Sequence, residues 1–231
     1  MKLQATGRRL DTNGYPIDGT GFDYAPDSRL AELMQQRNSP IISQPQTGEW
    51  IFGLVAAEET GGEFASGVVI FRPGNAGPPE HIHPTYDEHF DILAGEFVFT
   101  VDSVEQVARP GDTLVVKQGV AHTFRCVSDE FGALIGETRP ASRTAEVIST
   151  LFGMAHEGKL SAQGQPQLLH AMVIGAEFAD DTVFTSPPPA ITLPLARMLA
   201  PVGRLFGYQA TYEQYRDEAF WLAHVEQPVD G

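Results

Sequence analysis

From Glu49 onward, apolar and polar positions alternate in short runs. Two of these, WIFGLVAA at 50–57 and FASGVVIF at 64–71, are divided by TGGE, the composition of a turn. Runs this short, rich in β-branched and aromatic residues, predict strands. After a Pro- and Gly-rich loop over 72–79, Glu88, Phe90 and Ile92 fall on one strand face, and Ala94-Gly95 supplies a turn. Phe97, Phe99 and Val101 alternate on the strand that follows. Pro110-Gly111 is the pair preferred at the centre of a type II turn, because proline fixes φ and glycine accepts a positive one. Leu114 to Val116 read as a buried strand, and Gly119 then turns the chain into His122, Phe124 and Cys126. Many short strands with glycine at the corners predict a sandwich or small barrel over residues 45–140.

The flanks read differently. Residues 1–26 are rich in Gly, Asp, Asn and Pro and predict an extended arm, docked on its own barrel or on a second subunit. Asp27 or Ser28 caps a short helix through Gln36, with Leu30, Leu33 and Met34 on one face, and a loop with Pro40 and Pro45 ends it. The arm with its helix occupies 1–44. After Pro140 the period lengthens to about 3.6. Thr144 is the predicted N-cap of a helix with the stripe Ile148, Leu151, Phe152 and Ala155 and a stop at Gly158. A second helix runs from Pro166 to about Phe178 with Leu169, Met172, Val173 and Ala176 on its face, and SPPPA opens a third helical region punctuated by Pro194 and Pro201. Residues 141–231 thus form a helical tail packed on the barrel, and no internal repeat points to a second one.

Candidate chemistry gathers between Gly77 and Arg125. In a strand, His81 and His83 point the same way and bring two imidazoles within reach of one ion. Glu88 has the opposite parity, but Pro84 interrupts the ladder and lets the chain bend before it. A barrel would carry His122 alongside, so that three imidazoles and one carboxylate converge. His89, His156, His170 and His224 have no spaced partner and read as surface or satisfied core histidines.

This constellation resembles the cupin superfamily. His-x-His, Glu and Gly of its first block match His81, His83, Glu88 and Gly95, and its second block matches Gly111, Gly119 and His122. Lys117 stands where the family usually has proline and Cys126 where it often has asparagine. The tail, including LFGMAHEGK and GYQATYEQY, is similar to that of a group of uncharacterised cupin-like proteins. The resemblance implies a mainly β, double-stranded β-helix (jelly-roll) barrel holding one divalent transition metal ion through His81, His83, Glu88 and His122. Imidazole ligands favour Fe, Mn, Ni, Cu or Zn over calcium and magnesium. Four protein ligands leave two positions of an octahedral ion open. Phe90, Ile92, Phe97, Phe99 and Phe124 are expected to wall a pocket for a small apolar or aromatic substrate, with barrel filling as their competing role.

The resemblance to quercetinase-like dioxygenases implies an oxidoreductase in which Glu88 loosens from the metal to act as general base. A metal-dependent isomerase or lyase acting on a carbonyl compound, and a non-catalytic cupin that binds a small ligand or metal, are the alternatives.

Composition narrows the partners. The formal net charge of −15, with three lysines and twelve arginines, disfavours nucleic acid and anionic membrane, since phosphate binding needs clustered cations. No stretch of 18 apolar residues and no signal-like N-terminus occur, and Cys126 is the single cysteine, so a cytoplasmic protein without an internal disulfide is expected. A homodimer is expected, through edge strands and the arm, because an unpaired strand edge is a liability.

Overall fold

The computed structural model describes residues 2 to 228. Its strands are β1 (Gln4–Thr6), β2 (Phe22–Tyr24), β3 (Ile42–Gln44), β4 (Glu49–Val55), β5 (Ala65–Phe71), β6 (His81–Ile82), β7 (Asp87–Ala94), β8 (Phe97–Val101), β9 (Val104–Ala108), β10 (Thr113–Val116), β11 (His122–Cys126), β12 (Gly132–Arg139) and β13 (Val183–Phe184). The helices are α1 (Arg29–Gln35), α2 (Thr144–His156), α3 (Leu168–Glu177), α4 (Pro189–Leu205) and α5 (Glu218–His224). Apart from the β1-β2 ribbon, the strands form two antiparallel sheets, β10-β7-β12-β5-β4-β3 and β13-β6-β11-β8-β9. This is a jelly roll with helical additions.

The alternation along each strand explains how the sheets stack. Phe71, Phe90, Ile92 and Leu134 on the larger sheet meet Phe97, Phe99, Phe124 and Cys126 on the smaller one, all buried. The intervening positions of the larger sheet, Trp50, Phe52, Val68, Ile70 and Ala133, face the other way and are covered by α1, by Phe152 of α2 and by Trp221 of α5. A sheet apolar on both faces needs a layer on each, and the flanks supply the outer one. The arm docks on its own chain: the Trp50 indole N–H donates to Gly7 O at 2.8 Å, and Arg8 forms two bonds to Glu226 at 2.6 and 2.7 Å.

Ser28 caps α1, its side chain accepting from Ala31 N. Several other elements depart from the sequence reading. Leu114 to Val116 lie in β10, an edge strand in which Val116 is buried while Val115, on the opposite face across from His89, is exposed. The loop expected around Pro40 and Pro45 contains the strand β3, whose polar Ser43 and Gln44 are nevertheless buried. α2 begins on Thr144 itself, and its preceding residue makes no side-chain cap. The fully buried residues of α3 are His170, Val173 and Ile174; of the expected stripe, Val173 is buried and Leu169, Met172 and Ala176 are half-buried, with Leu169 and Val173 against Gly203 of α4. α4 continues through Pro194 and Pro201 as one helix. Among the described residues, no helix is long and apolar enough to cross a membrane.

Candidate metal centre

The site is assembled where the two sheets face each other. His122 in β11 pairs with His81 in β6, and His81 pairs in turn with Phe184 in β13. Residues opposite one another across antiparallel strands share a face, so this row presents two imidazoles and a phenyl ring on the same side of the smaller sheet. His83 follows two residues after His81. The chain then leaves the smaller sheet through Pro84, Thr85 and Tyr86 and enters β7 of the larger one, where Glu88 shares its face with Phe90 and Ile92. The bend expected at Pro84 is this change of sheet, and it turns Glu88 back toward the imidazoles.

The loop before β6 must run directly over β11 for the row to form. Gly77 permits it: a Cβ there would lie 1.7 Å from Phe124 O, and its φ of +67° is costly for any other residue. Asn75 holds the same loop, accepting from Gly77 N through its side chain at 2.7 Å and from Cys126 N through its carbonyl at 2.9 Å. At the other end of β11, Lys117 forms an ion pair with Asp87 at 2.7 Å and Gln118 N donates to the same carboxylate, fixing the turn that leads to His122.

One donor atom from each of His81, His83, Glu88 and His122 lies within 4.8 Å of all the others. The three histidines are buried. The imidazole Nδ1 atoms all face backbone carbonyls: His81 to Pro79 O at 2.8 Å, His83 to Asp181 O at 2.9 Å and His122 to Val120 O at 3.1 Å. A carbonyl can only accept, so each neutral ring carries its proton on Nδ1 and directs the lone pair of Nε2 inward. Yet Nε2 of His83 and of His122 sit 3.1 and 3.0 Å from Glu88 Oε2, which is acceptor against acceptor. A cation resolves that conflict. Three neutral imidazoles and one carboxylate carry a single negative charge, and their backbone-anchored rings are the usual support of a metal-binding histidine. The donor set therefore fits a divalent transition metal ion.

Electrostatics agree. Burial pushes the His81 imidazole down to about 4, and the neighbouring His122 and His83 push it the same way, so this ring is neutral and free to coordinate at neutral pH. Burial by itself would raise the Glu88 carboxyl, but hydrogen bonds donated from Nε2 of His122 and His83, where a proton takes the place of a metal ion, outweigh it and hold the carboxyl at about 2. Tyr86 stacks on His83 with centroids 4.4 Å apart, and its hydroxyl bonds Thr144 Oγ1 at 2.8 Å. Burial raises this phenol to about 12, so it stays protonated.

A family model described as a Cupin domain matches residues 67–135, the segment that contributes all four of these side chains. The chain carries a cupin domain. No curated protein matches the chain. Among solved structures, an RmlC-like cupin from Shewanella frigidimarina is similar at 20% identity, covering 60% of this chain and 97% of that one with a TM-score of 0.39. A predicted oxalate decarboxylase from Thermotoga maritima is 18% identical over 49% of this chain and 97% of its own, with a TM-score of 0.40. The cupin domain of Schizosaccharomyces pombe Cnp3 is 21% identical over 48% of this chain and 70% of its own, with a TM-score of 0.37.

Within the cupin domain, His81, His83, Glu88 and His122 come together as one group. Phe90, Ile92, Phe97, Phe99 and Phe124 are buried in one cluster with Phe71, with Phe99 stacked on Phe124 at 5.1 Å. The rings directly against the imidazoles are two that the chain pattern did not single out, Tyr86 on His83 and Phe184 on His81, the latter with centroids 6.2 Å apart. Tyr86 sits inside the histidine block and was open to notice there. Phe184 follows His81 by more than a hundred residues in a strand of two, too short for any periodicity. The same segment supplies Asp181 O to His83, with Thr182 Oγ1 3.3 Å from the same Nδ1, so the tail completes the support of a ligand in the barrel. The remaining histidines behave as core residues where buried: His156 bonds Ser43, and His170 Nε2 faces Gln209 O at 2.9 Å.

Proposed function

We propose that the protein is a mononuclear metal-dependent oxidoreductase of the dioxygenase type acting on a small apolar or aromatic molecule. The observation that carries the reading is the trio of Nε2 lone pairs aimed with one carboxylate at a common point inside an apolar barrel. A bound redox-active ion supplies Lewis acidity for an enol or phenol oxygen and a path for electrons to dioxygen. His81, His83 and His122 would hold it, each oriented by a backbone carbonyl. Tyr86 and Phe184 border the imidazoles with aromatic faces, and the phenylalanine cluster closes the interior behind them; apolar walls of this kind favour an apolar substrate and exclude water.

Glu88 has two states to offer. Held between His122 and His83 the carboxylate is a poor base and a good anionic ligand. Turned away from them it keeps only the effect of burial, which raises its pKa and lets it accept a substrate hydroxyl proton.

The test has two parts. Metal content is measured by elemental analysis on protein purified without added metal, and oxygen consumption is then followed with a panel of phenols and enols. Iron, manganese, copper or nickel with substrate-dependent oxygen uptake is the expected result. Zinc with equal turnover in the absence of oxygen would move the assignment to isomerase or lyase chemistry, and saturable ligand binding without turnover would make the protein a binder.

A further inference from the structure

The helical tail carries one face that nothing in the described chain covers. α4 packs on α3 through Ala196, Ala200 and Gly203, all buried, and Gly203 is required there because a Cβ would lie 2.5 Å from Val173 Cγ2. Ile191, Leu195, Met198, Val202 and Leu205 lie on the opposite side, at alternating intervals of four and three residues. Their exposures are 62%, 37%, 64%, 42% and 87%, and Phe206 beyond them is 74% exposed. Scattered apolar residues on a surface need no account, but this is a continuous stripe with the spacing of a coiled-coil seam.

We infer that α4 is the face through which two copies of this chain associate, helix against helix about a two-fold axis. Three observations favour a second copy as the occupant. The six side chains expose on the order of 700 Å² of apolar surface, beyond the patch a monomer usually leaves open and close to the ~800 Å² each partner gives to a stable interface. A seam of alternating intervals is self-complementary, since every residue that it presents across a two-fold axis meets another apolar one.

Charge supplies the third. Two chains of net charge −15 repel, but α4 contains no Asp or Glu and two arginines, Arg197 and Arg204, the second paired with Glu177 of its own chain at 3.0 Å. This is a surface on which two copies can approach without carboxylate meeting carboxylate. A basic partner would find no anion on it to bind.

The experiment is sedimentation equilibrium of the full chain across roughly 0.5–50 μM, which brackets a micromolar dissociation constant. The wild type is expected at twice the chain mass of 25.1 kDa. Met198→Glu and Leu195→Glu each place a carboxylate in the seam and are expected to weaken association at least tenfold. Their far-ultraviolet circular dichroism should stay at the wild-type value, because neither side chain is in the buried contact of α4 with α3, while their melting temperature should lose the concentration dependence that association gives the wild type. Val107→Glu, on the exposed outer strand β9, is expected to leave the dimer intact. A monomer throughout the range overturns the inference. So does a dimer that survives Met198→Glu in a folded protein, or one that dissociates on Val107→Glu instead, which would place the contact on the sheet edge.

Discussion

His83 combines more of the site's constraints than any other residue. Its Nε2 faces Glu88, its Nδ1 is tied to the tail at Asp181 O, and its ring lies on Tyr86. Replacing it with alanine removes one donor and leaves Asp181 O without its partner. His83→Ala is therefore expected to retain less than about a tenth of the wild-type metal, since even changes in the support of a ligand cost 10- to 100-fold in affinity. Elemental analysis of both proteins after dialysis against the same metal buffer checks this, and equal occupancy would remove His83 from the ligand set. Phe124 gives the opposite expectation. It is enclosed by Phe71, Phe90, Phe97 and Phe99 and contacts none of the imidazole rings closely, so Phe124→Ala opens a cavity costing roughly 3–5 kcal/mol while leaving the donors in place. Chemical denaturation should show that loss, and the folded fraction should still bind one equivalent of metal. A loss under about 1 kcal/mol would mean that the interior collapses around the gap.

At the scale of elements, the consequential contacts join the helical tail to the barrel. α2 lies against β3, where His156 Nε2 is 2.9 Å from Ser43 Oγ and its ring packs on Trp221 and His224. Burial, helped by His224 and Arg9, lowers this imidazole from 6.5 to about 4. Because the folded value is the lower one, the unfolded chain binds more protons between those pH values. The stabilisation is complete above about pH 6.5 and is lost as pH falls toward 4, by roughly 3 kcal/mol at most for this group. Urea denaturation at pH 7, 6 and 5 in the presence of chelator should show falling stability, with a shallower slope in His156→Gln. An unchanged slope would assign the whole effect to other groups. β13 makes the second junction, adding itself to β6 so that Phe184 stands beside His81. Sequence periodicity found α1 and α2 and the inward faces of β7, β8 and β11. It missed β9, β12 and β13 because two mixed-polarity strands and a two-residue strand carry too little alternation to stand out from loops.

The whole molecule is an acidic barrel wrapped on its outer face by both ends of the chain. A net charge of −15 on a fold of this size opposes compaction, so screening should stabilise it. The melting temperature is expected to rise between low salt and about 0.5 M sodium chloride, by about 2–4 °C for each kcal/mol of repulsion relieved. Scanning calorimetry in the two buffers checks this, and a fall would show that ion pairs such as Arg8 with Glu226 outweigh the repulsion. Sequence alone determined what depends on local order: strand parity put His81 and His83 on one side, Pro84 broke the strand before Glu88, and glycines marked the corners, while His122 joined them only through the resemblance to the cupin pattern. Tertiary structure decided everything that joins distant segments. That Trp50, Phe52 and Val68 face a helical layer while Phe71 and Phe90 face the second sheet depends on which strands become neighbours. The same holds for the carbonyl of Asp181 at His83 and the ring of Phe184 at His81, because a backbone carbonyl has no residue signature and contact across a hundred residues leaves no period in the chain.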